Sequence, residues 1–228
     1  IEVSNPWLQV DLARGTIDRE RRIWVRARWN EVPIGTERGS LVVTGPNGAR
    51  VEVVVPILNP PTPRPEQLDG FVEANGQVSI EAEHYTRAVE PPGRRWIVIP
   101  NHGRTLSGLT PWPVTDAAGP IDQADGMRLE YRIYLFAQGK VSVDAYLAPT
   151  QKFQPGPGLR YAVSFDDEAP QVVNLHADPS LAAWEREVAE GVKILTSQHT
   201  VVRTGYHVLK FWVLDPGVVI QKLVVNTA

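Results

Sequence analysis

Glu81 and Glu83 are the residues whose spacing most directly suggests chemistry. They lie in Ser79-Ile80-Glu81-Ala82-Glu83-His84-Tyr85. Two residues apart in a strand, they point to the same side, about 6 to 7 Å from each other along the backbone. Like charges so close repel unless a cation or an arginine lies between them. Carboxylate oxygens joined by a carbonyl or two make a calcium site; the other reading is a solvated strand face that carries two glutamates. A second acidic group, Asp166-Asp167-Glu168, follows a strand and precedes Ala169-Pro170. Glycoside hydrolysis needs two carboxyl groups placed across a sugar bond. Neighbours on one turn rarely reach that separation, so an acidic solvated turn is expected there. Ser107, with His102 and Asp116 near it in sequence, lacks the strand-to-helix elbow that activates a serine and reads as a polar loop.

The five histidines (His84, His102, His176, His199 and His207) fall in neither HxH nor HxxxH spacing, and no GxSxG, HExxH, GxxxxGK[ST] or GxGxxG occurs. Zero cysteines exclude disulfides, thiolate metal sites and thiol nucleophiles. A formal net charge of −3 supplies no basic field, so neither nucleic acid nor an anionic membrane is an expected partner. No apolar run reaches the roughly 20 residues of a membrane span, and IEVSNPWLQVDLARG lacks the layout of a secretion signal; a soluble chain is expected. Seven tryptophans against one methionine is more indole than an ordinary core uses, and sugar-binding surfaces use such a surplus.

The elements that must position these residues are strands. Ile23, Val25, Ala27 and Trp29 alternate with Arg22, Trp24, Arg26 and Arg28, and a hairpin turns at Gly45-Pro46-Asn47-Gly48 between Leu41–Thr44 and Val51, Val53 and Val55. This predicts a small β unit over residues 1–58, with Trp7, Trp24 and Trp29 stabilising it. Four prolines in NPPTPRP make residues 59–66 a stiff extended connector. From residue 67 to 228 the alternation resumes at Val78 to Ala82, Met127 to Leu135, Val141 to Leu147, Tyr161 to Phe165, Val208 to Val213 and Val218 to Val225. Short strands separated by turns predict an all-β, antiparallel sandwich. A single helix is expected at about 180–190, capped by Asp178 or Ser180, ended by Gly191, with Leu181, Trp184 and Val188 on its apolar face; Trp184 and Trp212 read as core.

EAEHY near the start of this region and GYHVLKFWVLDPGVVIQKLVV at its end resemble the opening and closing strands of the galactose-binding-like jelly roll, the fold of family 6 and 35 carbohydrate-binding modules. More specifically, FVEANGQVSIEAEHYT, IPNHGRTLSGLTPWP, LEYRIYL, LRYAVSFDDEAPQVV and HVLKFWVLDPGVVIQKLVV make Phe71 to Val225 similar to the C-terminal domain of glycoside hydrolase family 115, the xylan α-glucuronidases. NPWLQVDLARG, RARWNEVPIG and GSLVVTG resemble small immunoglobulin-like β domains found beside such modules in bacterial polysaccharide enzymes. The resemblance implies an immunoglobulin-like unit followed by a jelly roll. It also implies an accessory region, secreted or periplasmic, that partners a parent hydrolase and does not hydrolyse anything alone.

The resemblance places Glu81 and Glu83 on the calcium-binding glutamates of the EAE strand. Where those modules end in an Asp that completes the metal site, this chain has Gln221. A neutral amide oxygen weakens a calcium site, so the rival is a metal-free, hydrogen-bonded version. Jelly-roll modules bind sugar on loops between the sheets, which implies a site in the loop region 94–115: Trp96 and Trp112 to stack a sugar ring, with Arg95, Asn101, His102 and Arg104 beside them. Its cations suit an acidic sugar such as glucuronic acid. The expected ligand is plant cell-wall polysaccharide, xylan or glucuronoxylan; the alternative is a structural or dimerisation domain without sugar binding.

Overall fold

The computed structural model describes residues 1–59, 63, 65–102, 104, 106–121, 126–153 and 155–228, the side chain of residue 65 excepted. The chain divides into two compact units, Ile1–Gln67 and Leu68–Ala228. Much of the predicted connector, residues 59–66, lies outside the described residues.

The first unit contains β1 (Glu2–Val3), β2 (Leu8–Val10), β3 (Val25–Ala27), β4 (Gly35–Thr44) and β5 (Arg50–Asn59). They form a three-stranded sheet in the order β1-β4-β5 and a separate β2-β3 pair. The β4–β5 hairpin turns where the sequence marks it, with Asn47 and Gly48 at positive φ. Trp7, Leu8, Val32 and Leu41 make a small core. The strand expected across residues 22–29 contracts to Val25–Ala27, because β2 offers it only three residues to pair with. Trp24 and Trp29 therefore stand 58% and 52% exposed, and of the three tryptophans here Trp7 alone is buried.

The second unit runs β6 (Phe71–Val72), β7 (Gln77–Glu81), β8 (Arg87–Val89), β9 (Arg95–Ile99), β10 (Gly108–Trp112), β11 (Arg128–Leu135), β12 (Gly139–Leu147), β13 (Arg160–Phe165), β14 (Gln171–Asn174), α1 (Leu181–Glu190), β15 (Lys193–Val201), β16 (Gly205–Val213) and β17 (Ile220–Asn226). One sheet has the order β15-β12-β17-β10-β9, with β7 also on β17. The other has β14-β13-β16-β11-β6, with β8 also on β11. This is the expected jelly-roll sandwich. Strand β17 sits centrally: β12 pairs along one edge, and β7 and then β10 occupy the other.

Period-two alternation sends Leu129, Tyr131, Ile133 and Leu135 of β11 and Leu209, Phe211 and Val213 of β16 into one core with Val143, Ala145, Leu147, Leu223 and Val225 from the facing sheet. The buried Tyr131 hydroxyl donates to the Ala82 carbonyl at 2.9 Å, and burial pushes its ionisation far above the usual phenol range. Gly70, at φ +85, allows β6 to lie close on β11; a Cβ there would sit 2.4 Å from the carbonyl oxygen of Arg132.

Helix α1 has the predicted ends. Ser180 Oγ accepts from the Ala183 N–H, and Gly191 closes the helix in the left-handed conformation. Its buried face differs from the expected one. Ala183 and Glu187 are buried, Trp184 is half-buried, and Leu181 and Val188 are exposed. The helix is turned this way by an ion pair, Lys193 Nζ to Glu187 Oε1 at 2.6 Å, at the start of β15. Trp212 is buried, as expected, but in a small cluster with Ala162 and Leu214 on the face of its sheet away from the main core.

Candidate functional site

The predicted loop region 94–115 is largely a hairpin of β9 and β10, with Arg95 opposite Trp112 and Trp96 opposite Pro111. Opposed residues share a face, and neighbours alternate. Arg95 and Trp112, the latter 43% exposed, therefore stand on the outer face, whereas Trp96 is 8% exposed and packs into the core between the sheets. The two indoles do not share a surface. Asn101, His102 and Arg104 are exposed but follow the far end of β9, about 13 Å from Arg95 at the rise of a strand. Arg94 is spent on Asp116, with Nε to Oδ2 at 2.9 Å. The structure thus separates the six expected sugar-binding residues into an Arg95–Trp112 pair, a distal group and a core tryptophan.

The expected metal ligands lie at and just beyond the end of β7 and at the start of β17, each with its own partner. Glu81 lies opposite Lys222, whose Nζ is 3.5 Å from its carboxylate. Glu83 accepts the hydroxyl of Ser107, which is buried rather than in an open polar loop. Gln221 Oε1 accepts the Arg104 N–H at 3.1 Å, and its Nε2 donates to the Gly191 carbonyl at 3.1 Å. Each of the three side chains meets a donor of the chain. The described residues contain no group of three or more His, Cys, Asp or Glu disposed to hold a metal.

In the acidic turn after β13 Asp167 is fully exposed, whereas Asp166 and Glu168 are half-buried and engaged by the fold. Asp166 turns back to His207, with Oδ2 2.7 Å from Nδ1, and accepts the Val208 N–H at 2.8 Å. Glu168 meets His199 Nδ1 at 2.5 Å and accepts the Phe165 N–H, while His199 Nε2 lies 2.8 Å from Ser197 Oγ. Ser197 is buried, so this Ser-His-Glu line ties β15 to the turn and presents no nucleophile to solvent.

A site that the sequence reading missed lies on the outer face of the β11–β16 sheet. The strands pair with Arg128 opposite Trp212, Glu130 opposite Lys210, Arg132 opposite Val208 and Tyr134 opposite Tyr206. These residues alternate with the core positions and so form, on the other face of the sheet, a ladder of cations and aromatic rings in which Arg128, Glu130, Lys210 and Trp212 are buried. The Arg128 guanidinium lies 4.6 Å over the Trp212 ring, and that of Arg132 lies 4.2 Å over Tyr206. At one end of the ladder opens a cavity of about 390 Å³, lined by Thr86 and Arg87 before and in β8, Glu130 and Arg132 of β11, Asp166, and Arg203, Tyr206, His207 and Val208 before and in β16. The signal was present as the period-two runs Arg128-x-Glu130-x-Arg132 and Tyr206-x-Val208-x-Lys210-x-Trp212. Their interest lies on the polar side of strands whose apolar side announces the fold.

Residues 70–228 match the sequence model of the glycosyl hydrolase family 115 C-terminal domain. The chain belongs to this family. Among solved structures, the family 115 domain is similar to a GH115 4-O-methyl-α-glucuronidase with specificity for decorated arabinogalactans: 17% identity, TM-score 0.52, covering 75% of this chain and 19% of that enzyme. The chain therefore spans about a fifth of that enzyme's length. Also similar are a carbohydrate-binding module of Cellvibrio mixtus lichenase 5A in complex with cellotriose (12% identity, TM-score 0.42, covering 66% of this chain and 96% of that one) and a family 35 module from Clostridium thermocellum (12%, 0.41, covering 67% and 98%). No curated protein sequence matches the chain.

Proposed function

We propose that the family 115 domain is a non-catalytic carbohydrate-binding module that holds a parent glycoside hydrolase on plant cell-wall polysaccharide, xylan or glucuronoxylan, outside the cytoplasm of a bacterial cell. The observation that carries this reading is the outward cavity on the β11–β16 face. It is concave, of a size that suits a small ligand, and lined by Val208 and Tyr206 together with hydrogen-bonding side chains. Sugar rings need such a mixture of apolar floor and polar rim. Affinity gel electrophoresis of the intact chain in glucuronoxylan, arabinoxylan and cellulose tests it. Retardation in the xylan gels is the expected result, and equal mobility in every gel would overturn it.

A second reading, a structural or dimerisation domain, is favoured by the exposed apolar positions Leu181 (69%) and Val188 (50%) on α1, beside the half-buried Trp184. Light scattering that finds a tight dimer, together with no retardation in any gel, would favour this alternative.

The Glu81, Glu83 and Gln221 group belongs, in our reading, to the metal-free version of the jelly-roll closure, with Lys222 and Ser107 answering the carboxylates. Metal binding to the native state alone would raise stability by mass action. Melting temperatures in millimolar calcium and in EDTA are expected to agree within about 1 °C, and calcium-dependent stabilisation of several degrees would contradict the assignment.

A further inference from the structure

The β11–β16 cavity is unusual in where its charges are already spent. Its two carboxylates are answered within the fold. Glu130 takes the Nε of Arg128 at 2.7 Å and lies 3.6 Å from Arg87, and Asp166 is engaged by His207 and the Val208 N–H. Two of its three arginines are not so answered. Among the described residues Arg132 has no carboxylate partner; its guanidinium carbon lies 4.2 Å over the Tyr206 ring, and its backbone N–H donates to Thr86 Oγ1 at 2.8 Å. Arg203 likewise has none, and reaches only the Tyr206 carbonyl, at 3.5 Å. The carbonyl of Arg203 is itself 3.0 Å from His207 Nε2, so its backbone is anchored at the cavity wall.

A guanidinium carries five N–H donors in a rigid planar fork that matches a carboxylate with two parallel bonds. Stacking on an aromatic ring holds that fork in one plane and lowers the cost of fixing it on a ligand. We propose that this cavity is the subsite for a carboxylate-bearing sugar, a hexuronic acid residue, with Arg132 as the bidentate partner of the carboxylate and Arg203 as its second donor. The proposal rests on the carbohydrate-binding reading above and names the ligand class for the same site. Tyr206 acts on the ligand through Arg132, so it is a positioning residue.

The test compares binding of the intact chain to glucuronoxylan, to the same polymer after chemical reduction of its carboxyl groups to primary alcohols, and to dextran sulfate. Wild type is expected to bind native glucuronoxylan at least tenfold more tightly than the reduced polymer, a preference that salt weakens. Arg132→Gln should lose that preference, and Arg132→Lys, which keeps the charge without the fork, should retain only part of it. Arg203→Gln, on a different segment, is the second variant should Arg132→Gln melt early. Equal affinity for native and reduced polymer in the wild type would overturn the carboxylate subsite and leave the carbohydrate-binding reading standing. Binding to neither polymer would remove both. Tighter binding to dextran sulfate than to glucuronoxylan would reduce the cavity to an unspecific basic patch and also overturn the proposal.

Discussion

Trp96→Ala is expected to destabilise the jelly roll by about 3 to 4 kcal/mol, the usual cost of truncating a buried aromatic side chain. The ring is 8% exposed and belongs to the same core cluster as Leu109, Met127 and Ile220. Trp112→Ala, on the outer face of the same hairpin, should change stability by no more than about 0.5 kcal/mol. Urea unfolding of the two variants measures the contrast directly. A third substitution sharpens it. Trp96 Nε1 finds no hydrogen-bond partner among the described residues, so the wild-type ring buries an unanswered donor. Trp96→Phe removes that donor along with some volume, and the two effects oppose each other; its net cost should stay within about 1 kcal/mol. A Trp96→Ala variant as stable as wild type would mean that the indole faces solvent and that the hairpin is turned over.

Lys193→Met should cost about 3 kcal/mol, because it removes one partner of a buried ion pair and leaves the other charge without compensation. The Lys193 and Glu187 side chains are only 9% and 12% exposed, and they join the first residue of β15 to the inner face of α1. Replacing both, Lys193→Met with Glu187→Met, removes the buried charge altogether. That double variant should recover to within about 1 kcal/mol of wild type. A double-mutant cycle by urea unfolding gives the coupling. A single Lys193→Met cost below about 1 kcal/mol would place the pair in solvent and deny it any role in turning the helix.

These two sites also show what the sequence reveals and why it stops. Strands β11, β12, β16 and β17 were legible because one side of each is apolar at every second residue, and the ends of α1 were legible because Ser180 and Gly191 are local devices. The facing of α1 was not. Leu181 and Val188 stand exposed while Glu187 is buried against a lysine outside the helix, and that is a tertiary fact. Strand β15 escaped notice for a related reason. Its buried side includes Lys193, Ser197 and His199, polar residues whose partners lie on α1, on the same strand, on the β13 turn and on β14. The β9–β10 hairpin read as a loop because Pro100, Asn101 and Gly103 break the apolar pattern. The outer cavity draws on segments near residues 86, 130, 166 and 206, which become neighbours only once β8, β11, β13 and β16 have paired. No local spacing rule joins them.

The central place of β17 has a consequence for biosynthesis. A ribosome delivers residues in order, and here the strand that three others need at their flanks emerges after all of them. Until Ile220–Asn226 is available, β7, β10 and β12 carry open backbone edges toward an empty middle, the condition under which nascent β proteins stick to one another. Any fragment designed for expression should therefore retain Asn226, however dispensable a few terminal residues look on paper.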